Sequence, residues 1–298
     1  MNETSFLIIY NPSAGKGNAG KRRLDIEKLA VASGRPFELF PTSHSESAGK
    51  LILTGYRQGY RHFVICGGDG TVMDALPAIL GKKVSLGIVP LGTGNILALN
   101  LGIPLRLAAA MGCALHGEPR PIVIGKANGR LFSIAAGIGY DAAVIRDTSS
   151  EMKKRFGLFA YLVSAIRNLA HTPHKYAISI DGNPTEIYIA KAVIVANVGK
   201  LRGGVIAVPN ANPEHAKFKI VIMRPEALGS WIGLVVHALV GRVEKHRSYM
   251  LLEGQSVKIR SLSGPQPVEC DGNLLPSGRH LNAEVVRETV TIMRPHGK

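Results

Sequence analysis

Three short glycine-rich loops, each following an apolar segment in the first hundred residues, constrain the fold of this chain more than any other feature. Loop 1 (NPSAGKG, 11–17) follows FLIIY, loop 2 (GGDGT, 67–71) follows HFVIC, and loop 3 (PLGTGN, 90–95) follows VSLGIV. The segments between them have the apolar spacing of helices. Strands that alternate with helices predict a doubly wound parallel sheet, with all three loops at the carboxyl edge of the strands.

Loop 2 places one carboxylate, Asp69, among three glycines, and two explanations are open. Glycine tolerates positive φ and aspartate favours turns, so the segment could be a tight turn and nothing more. Alternatively, bare backbone N–H groups approach a phosphate while the carboxylate handles a metal ion or a proton. One such loop is weak evidence, whereas three at one sheet edge favour a phosphate site.

Composition narrows the class of partner. The chain has 298 residues, a formal net charge of +15 and 46% hydrophobic residues, as expected of a globular protein with an anionic ligand or partner. No block of Lys and Arg resembles a nucleic-acid-binding arm, and 6% aromatic residues offer little base stacking, so we expect no nucleic acid. The three cysteines lack CxxC spacing, which argues against a zinc site or a disulfide framework.

The expected location is the cytoplasm. The apolar run near the N-terminus is too short for a signal-peptide core and has no basic flank. No window has the roughly 18 or more apolar residues of a membrane-spanning helix. Cysteine usage also fits a reducing compartment.

The pattern of apolar and turn-forming residues changes after Pro121. Short β-like runs follow, with turns predicted at Asn128 and Gly129, at residues 137–139, and at Asp181. We therefore predict an α/β nucleotide-binding domain over residues 1–121 and a largely antiparallel β domain over 122–298.

Two segments of the second half mix basic and apolar residues at helical spacing, residues 152–170 and 229–247. Such a pattern is typical of helices that lie in a membrane interface, and equally of core helices with a solvated edge. With a net charge of +15, the protein is expected to make peripheral contact with an anionic membrane, at the inner face.

The ordered set of motifs resembles the diacylglycerol kinase catalytic-domain family, which includes bacterial lipid kinases, sphingosine kinases and ceramide kinases. The set comprises NPSAGKG, GGDGTVMDAL, PLGTGNILAL, AGIGYDAAV, KRFGLFAY, ANVGKLRGG and a late CDGN. GGDGT alone is shared with NAD kinases and, more loosely, with phosphofructokinases. The resemblance covers about residues 6–294. It implies an α/β nucleotide domain like that of NAD kinases and phosphofructokinases, then a β-sandwich domain, with ATP in the cleft between them.

The resemblance also assigns roles to residues. Asp69 matches the family aspartate that organises Mg²⁺ through water and, in the sphingosine kinase branch, is thought to activate the acceptor hydroxyl. ATP and Mg²⁺ are the implied cofactors, and a lipid is the implied substrate. The implied nucleotide-binding residues are Asn11, Lys16, Thr42, Gly67, Gly68, Gly70, Thr71, Gly92, Thr93 and Asn95.

The chain departs from the family where many bacterial members carry Asp-Gly-Glu, with the glutamate as general base. Here the motif reads Asp271, Gly272 and Asn273. An amide accepts no proton at neutral pH, so Asn273 cannot be that base. Asp69 and Asp271 are then the two candidate catalytic residues.

Three further departures concern positions that are acidic in many relatives. Ile96 follows loop 3 where an aspartate is common, and Asp74 replaces a glutamate after loop 2. His215 and Lys219, within residues 212–219, stand where the family's second domain has a metal-binding carboxylate loop. A structural Mg²⁺ is therefore doubtful there, and Lys219 is either a substitute for the ion's charge or a solvated lysine.

We expect an ATP-dependent lipid kinase that transfers the γ-phosphate to the hydroxyl of a diacylglycerol-like acceptor. One alternative is a nucleotide- or lipid-binding homologue with little or no kinase activity, which the amide of Asn273 motivates. A second alternative is an NAD kinase-like enzyme with a soluble acceptor, which the shared GGDG motivates. The acceptor's identity and the oligomeric state, a homodimer included, stay open.

Overall fold

The protein is described here from a computed structural model, which divides into two compact units. One unit comprises residues 1–122 with 287–298, and the other comprises residues 123–286. The described residues are 4–15, 18–139, 172–201, 205–224, 233–234, 236–238 and 240–296. Lys16 of loop 1 and the segment 152–170 lie outside these ranges, and the segment 229–247 lies only partly within them.

The first unit contains a six-stranded sheet in the order β2-β1-β3-β4-β18-β5, with strands numbered along the whole chain. All neighbours are parallel except β18 and β5. The parallel α/β sheet predicted from the sequence is thus confirmed. Its elements are β1 (Phe6–Tyr10), α1 (Ala19–Ala32), β2 (Phe37–Pro41), α2 (Ala48–Arg57), β3 (His62–Gly67), α3 (Asp69–Ile79), β4 (Ser85–Pro90), α4 (Ile96–Asn100), α5 (Leu107–His116), β5 (Glu118–Ile122) and β18 (Val290–Arg294).

Helices cover both faces of this sheet, as a doubly wound fold requires. Side chains of α1 and α5, such as Ile26 and Met111, share one core cluster with Ile8 and Val64 of the central strands. On the opposite face α2 lies close to β1, since a Cβ on Gly55 would be 2.5 Å from the Leu7 Cδ2. Strands buried on both faces need continuous apolar runs, which explains why β1, β3 and β4 are almost wholly apolar.

The second unit is a sandwich of two six-stranded antiparallel sheets, as predicted. The second sheet has the order β10-β9-β14-β17-β6-β7, and the third has the order β13-β12-β11-β8-β15-β16. Their strands are β6 (Gly125–Ala127), β7 (Arg130–Phe132), β8 (Ala135–Gly139), β9 (His174–Ile180), β10 (Glu186–Ala190), β11 (Ala192–Ala196), β12 (Phe218–Met223), β13 (Tyr249–Gly254), β14 (Ser256–Ser261), β15 (Gln266–Cys270), β16 (Asn273–Gly278) and β17 (His280–Val285). Alternate residues of both sheets form one buried core around Phe132, Tyr176 and Phe218.

Two of the three predicted turns of this unit are confirmed by their backbone angles, whereas residues 137–139 are the end of strand β8 and not a turn. Asn128 and Gly129 have φ of 46° and 86°, and Asp181 and Gly182 have φ of 51° and 76°. Asn, Asp and Gly are the residues that adopt positive φ with least strain, so these pairs turn the chain between strands.

The last strand corrects the predicted domain assignment for the C-terminal residues. β18 does not join the second unit but inserts between β4 and β5 of the first sheet. Its buried residues Val290 and Ile292 complete the core of that sheet. An alternating apolar pattern predicts a strand but not its partner, so the sequence could not assign it to either sheet. None of the described helices is long and apolar enough to cross a membrane.

Candidate nucleotide and phosphate site

The three glycine-rich loops meet at the carboxyl edge of the first sheet. The Asn11 N–H donates to the Cys66 carbonyl at 2.9 Å, and the Leu91 N–H donates to the Gly67 carbonyl at 2.8 Å, so strand pairing continues into the loops. Gly15 (φ 77°) approaches loop 3 so closely that a Cβ would lie 2.4 Å from the Leu91 carbonyl oxygen. The parallel strands therefore bring together three segments that are far apart in sequence.

Loops 2 and 3 contact each other through glycine backbones. A Cβ on Gly92 would lie 2.6 Å from the Gly68 Cα, and one on Gly68 would lie 3.1 Å from the Gly92 Cα. Gly67 is equally restricted, because its Cβ would lie 2.6 Å from the Thr71 Cβ. Gly70 differs: no atom lies within 4 Å of the position of its Cβ. Packing within the protein explains the first three glycines and leaves Gly70 unexplained.

Loop 2 leads directly into the N-terminus of α3. The helix begins at Asp69, runs for 11 residues, and has the extended residue Gly68 at its N-cap with no side-chain capping hydrogen bond. The first N–H groups of a helix have no partner within the helix and carry partial positive charge. Together with the exposed backbone of Gly70, this terminus has the chemistry of a phosphate-binding turn.

Asp69 links loop 2 to the start of α4. Its Oδ1 accepts the Leu97 N–H at 3.3 Å, and its Oδ2 lies against Gly94, where a Cβ would be 2.8 Å away. Burial raises the pKa of the Asp69 carboxyl, and hydrogen bonds from the N–H groups of Leu97, Ile96 and Asn95 oppose that rise. Asp69 therefore orders loop 3 and has a pKa that is shifted toward neutrality.

Two asparagines hold the loops in shape. The Asn11 Nδ2 donates to the Thr71 Oγ1 at 2.9 Å, which joins loop 1 to loop 2. Asn95 has left-handed backbone (φ 52°), and its side-chain amide exchanges hydrogen bonds of 2.9 and 2.8 Å with the N–H and carbonyl of Gly92. These amides hold the loops in their geometry, and the nucleotide-binding role of Asn11 and Asn95 stays a prediction.

The remaining predicted residues are less closely joined to this cluster. Thr42 follows β2 at the same edge, where its N–H donates to the Tyr10 carbonyl at 2.8 Å. Thr93 is exposed in loop 3. Asp74 accepts the Gly49 N–H on its Oδ2 at 2.9 Å. That carboxylate is thus directed to the first turn of α2.

In the second unit, Asp271 lies in a two-residue hairpin turn between β15 and β16, with φ of 47°. Its carboxylate accepts backbone N–H groups from Ser133, Ile134 and Ala135 at 2.7, 2.8 and 2.9 Å. Because three backbone N–H groups donate to its carboxylate, Asp271 stabilises the turn between β7 and β8. Asn273 is exposed at the start of β16.

Sequence reasoning did not single out Glu269, a buried carboxylate of the same hairpin. Only 2% of Glu269 is exposed, and its Oε2 accepts the Gly272 N–H at 2.9 Å. The signal was present, since Glu269 is an acidic residue between the apolar residues Val268 and Cys270 of a strand. Such residues are almost never fully buried without a hydrogen-bonding partner.

Lys219, in the segment 212–219, forms an ion pair and is not a free solvated lysine. Its Nζ is 2.7 Å from the Glu253 Oε2, and the Lys217 Nζ is 3.2 Å from the Oε1 of the same carboxylate. These two lysines lower the pKa of Glu253. Across the described ranges, no three His, Cys, Asp or Glu side chains are grouped so that they could hold a metal ion.

A parallel α/β sheet with three glycine-rich loops at its edge, in a chain that also forms an antiparallel β-sandwich, is the fold of solved diacylglycerol kinase and NAD kinase structures. Residues 5–127 match the family model described as diacylglycerol kinase catalytic domain. Residues 134–294 match the model described as YegS C-terminal NAD kinase beta sandwich-like domain. The chain belongs to the diacylglycerol kinase catalytic-domain family.

Relatives and solved structures agree with this assignment. A diacylglycerol kinase of Bacillus subtilis (strain 168) is 25% identical over 295 residues, covering 94% of this chain and 96% of the relative. A Synechocystis protein, sll0036, is also 25% identical, and the match covers 90% of this chain and 65% of the Synechocystis protein.

Two solved structures share the fold. A diacylglycerol kinase from Bacillus anthracis has a TM-score of 0.81 at 22% identity over 99% of each chain. An NAD kinase from Archaeoglobus fulgidus in complex with ATP has a TM-score of 0.52 at 12% identity, over 98% of this chain and 94% of that one.

Proposed function

We propose that the protein is an ATP-dependent lipid kinase that phosphorylates the hydroxyl of a diacylglycerol-like lipid. The observation that carries the proposal is the meeting of three glycine-rich loops around Asp69 at the N-terminus of α3. Membership of the diacylglycerol kinase family and the B. subtilis relative support the lipid acceptor. ATP as phosphate donor fits the cytoplasmic location expected from the sequence.

The triphosphate is proposed to bind along loop 2. Its oxygens would accept hydrogen bonds from backbone N–H groups at the start of α3, where Gly70 leaves the surface uncovered. Gly68 and Gly92 let loops 2 and 3 approach, and Asn11 and Thr71 fix the position of loop 1. Lys16, Thr42 and Thr93 stay predicted ligands.

The reaction forms a bond between the acceptor oxygen and the γ-phosphorus and breaks the bond from that phosphorus to the oxygen bridging it to the β-phosphate. ADP leaves with that bridging oxygen, and the hydroxyl proton goes to a carboxylate. Bound Mg²⁺ supplies neutralising charge on the phosphate oxygens, and a site with one protein carboxylate is typical of it. Because the transition state of phosphoryl transfer is loose, the reaction does not need a strong general base to accept the hydroxyl proton.

Asp69 is the better of the two predicted proton acceptors. Its carboxyl pKa is raised by burial, which brings the group closer to the pKa of a useful general base. The Asp271 carboxylate already accepts three backbone N–H groups, and protonation would weaken those bonds. We therefore assign Asp69 as catalytic residue and Asp271 as a structural one.

The test is transfer of labelled phosphate from ATP, with Mg²⁺ present, to a panel of diacylglycerols, sphingoid bases, isoprenoid alcohols and phosphatidylglycerol. Asp69→Asn should abolish transfer while the protein stays folded, because the amide oxygen can still accept the Leu97 N–H. Asp25→Asn, a substitution on α1 of the same unit, is the matched control and should retain full activity. If Asp69→Asn transferred phosphate as fast as wild type, the assignment of Asp69 as the catalytic residue would be wrong.

A homologue that binds nucleotide without turnover is the second candidate, and the exposed amide of Asn273 favours it. It predicts that ATP raises the melting temperature while no lipid of the panel gains phosphate. Including NAD as an acceptor in the same assay tests the third possibility, an NAD kinase-like activity. Phosphate on NAD and on no lipid would replace the proposed function.

A further inference from the structure

The outer face of the second sheet exposes aliphatic side chains on its edge strand. Ile187 and Ile189 of β10 are 65% and 52% exposed, whereas Tyr188 and Ala190 between and after them pack on the sandwich core. Alternation along a strand therefore directs both isoleucines away from the core. Monomeric proteins do expose single aliphatic residues, but a group of them on one face calls for an explanation.

Basic residues lie beside these isoleucines on the same face. The register pairs Ile189 with Lys175 of β9, and directly opposed residues project on the same side of a sheet. Arg260 and Lys258 of β14 follow on the next strand, paired with residues 177 and 179. All three cations are exposed. The exposed Leu262, whose N–H donates to the Lys175 carbonyl at 2.8 Å, extends the aliphatic group.

The charge of this patch is uncompensated. Within the described part of the chain, none of Lys175, Lys258 and Arg260 forms an ion pair. Two carboxylates, Asp181 and Glu284, border the patch beside Ser256, but among the described residues neither forms an ion pair with these three cations. The face thus combines three exposed aliphatic residues with three free positive charges.

We propose that this β10 face, formed by Ile187, Ile189, Leu262, Lys175, Lys258 and Arg260, docks on the surface of an anionic lipid bilayer. Aliphatic side chains enter the boundary between headgroups and acyl chains, while lysine and arginine reach lipid phosphates from beside them. The proposed lipid kinase function supplies the reason for a membrane-borne substrate, and in that respect the inference rests on it.

Charge complementarity favours a bilayer over other occupants. In a symmetric contact with a second copy of this chain, Lys175, Lys258 and Arg260 would face the same cations, and like charges in contact are unfavourable. A nucleic acid would place phosphates against Ile187 and Ile189, and the patch has no aromatic side chain for base stacking.

The experiment is co-sedimentation of the protein with phosphatidylcholine vesicles that do or do not contain phosphatidylglycerol, without ATP. Lys258→Gln with Arg260→Gln removes charge, and Ile187→Thr with Ile189→Thr removes aliphatic surface while keeping β-branched side chains in the strand. This assay measures no turnover, so it tests the docking surface separately from the kinase activity. The protein could fail to bind vesicles and still be a kinase, or bind vesicles without being one.

Two matched double variants control for charge and for aliphatic surface elsewhere. Lys28→Gln with Lys83→Gln removes two exposed cations of the first unit. Leu24→Gln with Val31→Gln removes two aliphatic side chains of α1 that are 56% and 68% exposed. Melting curves and circular dichroism confirm that each variant is folded.

Wild-type protein should bind only the anionic vesicles, and less tightly as salt rises. Each cation on the face contributes roughly a fivefold gain in partitioning, so the Lys258 and Arg260 double variant should bind about 25-fold more weakly. The isoleucine double variant should bind about tenfold more weakly, and both controls should bind as wild type.

Three results would overturn the proposal. Equal losses in the controls would place membrane binding elsewhere or make it a property of net charge. Unchanged binding by both β10-face variants would remove the face from any membrane contact. The third is evidence that the face binds something other than a membrane. Such evidence would be a dimer in sedimentation equilibrium that dissociates in the Ile187→Thr and Ile189→Thr double variant. It would equally be binding of duplex DNA that is lost in the Lys258→Gln and Arg260→Gln double variant.

Discussion

Replacing Gly70 by alanine separates the two explanations of loop 2. Gly70 lies in the first turn of α3 with ordinary negative φ, and no atom lies within 4 Å of the position that a Cβ would take. Alanine is favoured over glycine in helices by about 0.5–1 kcal/mol. Near a helix terminus we expect about 0.5 kcal/mol, so Gly70→Ala should raise the melting temperature by about 1–2 °C.

The same substitution should weaken ATP binding. The space open to the Cβ is the space in which the proposed triphosphate approaches the backbone of Gly70, so the methyl group and the phosphate exclude each other. We expect at least a tenfold loss of ATP affinity, or about 1.4 kcal/mol. Titration calorimetry measures the affinity, and the shift of melting temperature with ATP concentration provides an independent value.

Gly112→Ala is the matched control. Gly112 lies inside α5, and again no atom lies within 4 Å of the Cβ position. This variant should gain about 1 kcal/mol of stability and bind ATP as wild type does. If Gly70→Ala were stabilised and bound ATP with unchanged affinity, loop 2 would be a helix start without a phosphate, and the proposed nucleotide site would be wrong.

Four further outcomes are expected. The acid limb of the pH profile of kcat/KM should lie above the range of an ordinary aspartate, because burial raises the pKa of Asp69 and only its ionised form accepts a proton. Asp69→Asn should gain stability relative to wild type as pH rises through that pKa in chemical denaturation, because the wild type then buries a charge. Asp271→Ala should lower the free energy of unfolding by about 2–4 kcal/mol, since three backbone N–H groups lose their acceptor, whereas Asn273→Ala should change it by less than about 0.5 kcal/mol. Asn273→Glu should leave the rate of phosphate transfer unchanged if Asp69 suffices as proton acceptor, and a gain of several-fold or more would contradict that assignment.

Much of the fold could be predicted because local pattern and global topology agree. The apolar runs that precede loops 1, 2 and 3 are strands buried on both faces, and parallel pairing then requires the loops to meet at one edge. Positive φ at Asn128, Asp181 and the residues after them followed from the turn preferences of Asn-Gly and Asp-Gly pairs.

What could not be predicted depends on contacts between distant residues. Nothing local distinguishes β18 from a strand of the sandwich, because a strand's partner is chosen by the free edges available in the folded chain. Asp271 was a candidate base from its motif, and only the folded chain places the N–H groups of Ser133, Ile134 and Ala135 around its carboxylate. The lysine pair at Glu253 likewise joins residues more than thirty positions apart.

These contacts also sharpen what the single carboxylate of loop 2 must do. Asp69 receives N–H groups from the start of α4, so its charge holds loop 3 beside loop 2. Those hydrogen bonds favour the ionised form, while burial favours the protonated one. In the proposed function, the raised pKa of this carboxyl suits Asp69 to accept the hydroxyl proton during transfer. The proposed proton transfer therefore depends on Asp69, whose carboxyl both orders loop 3 and has a raised pKa.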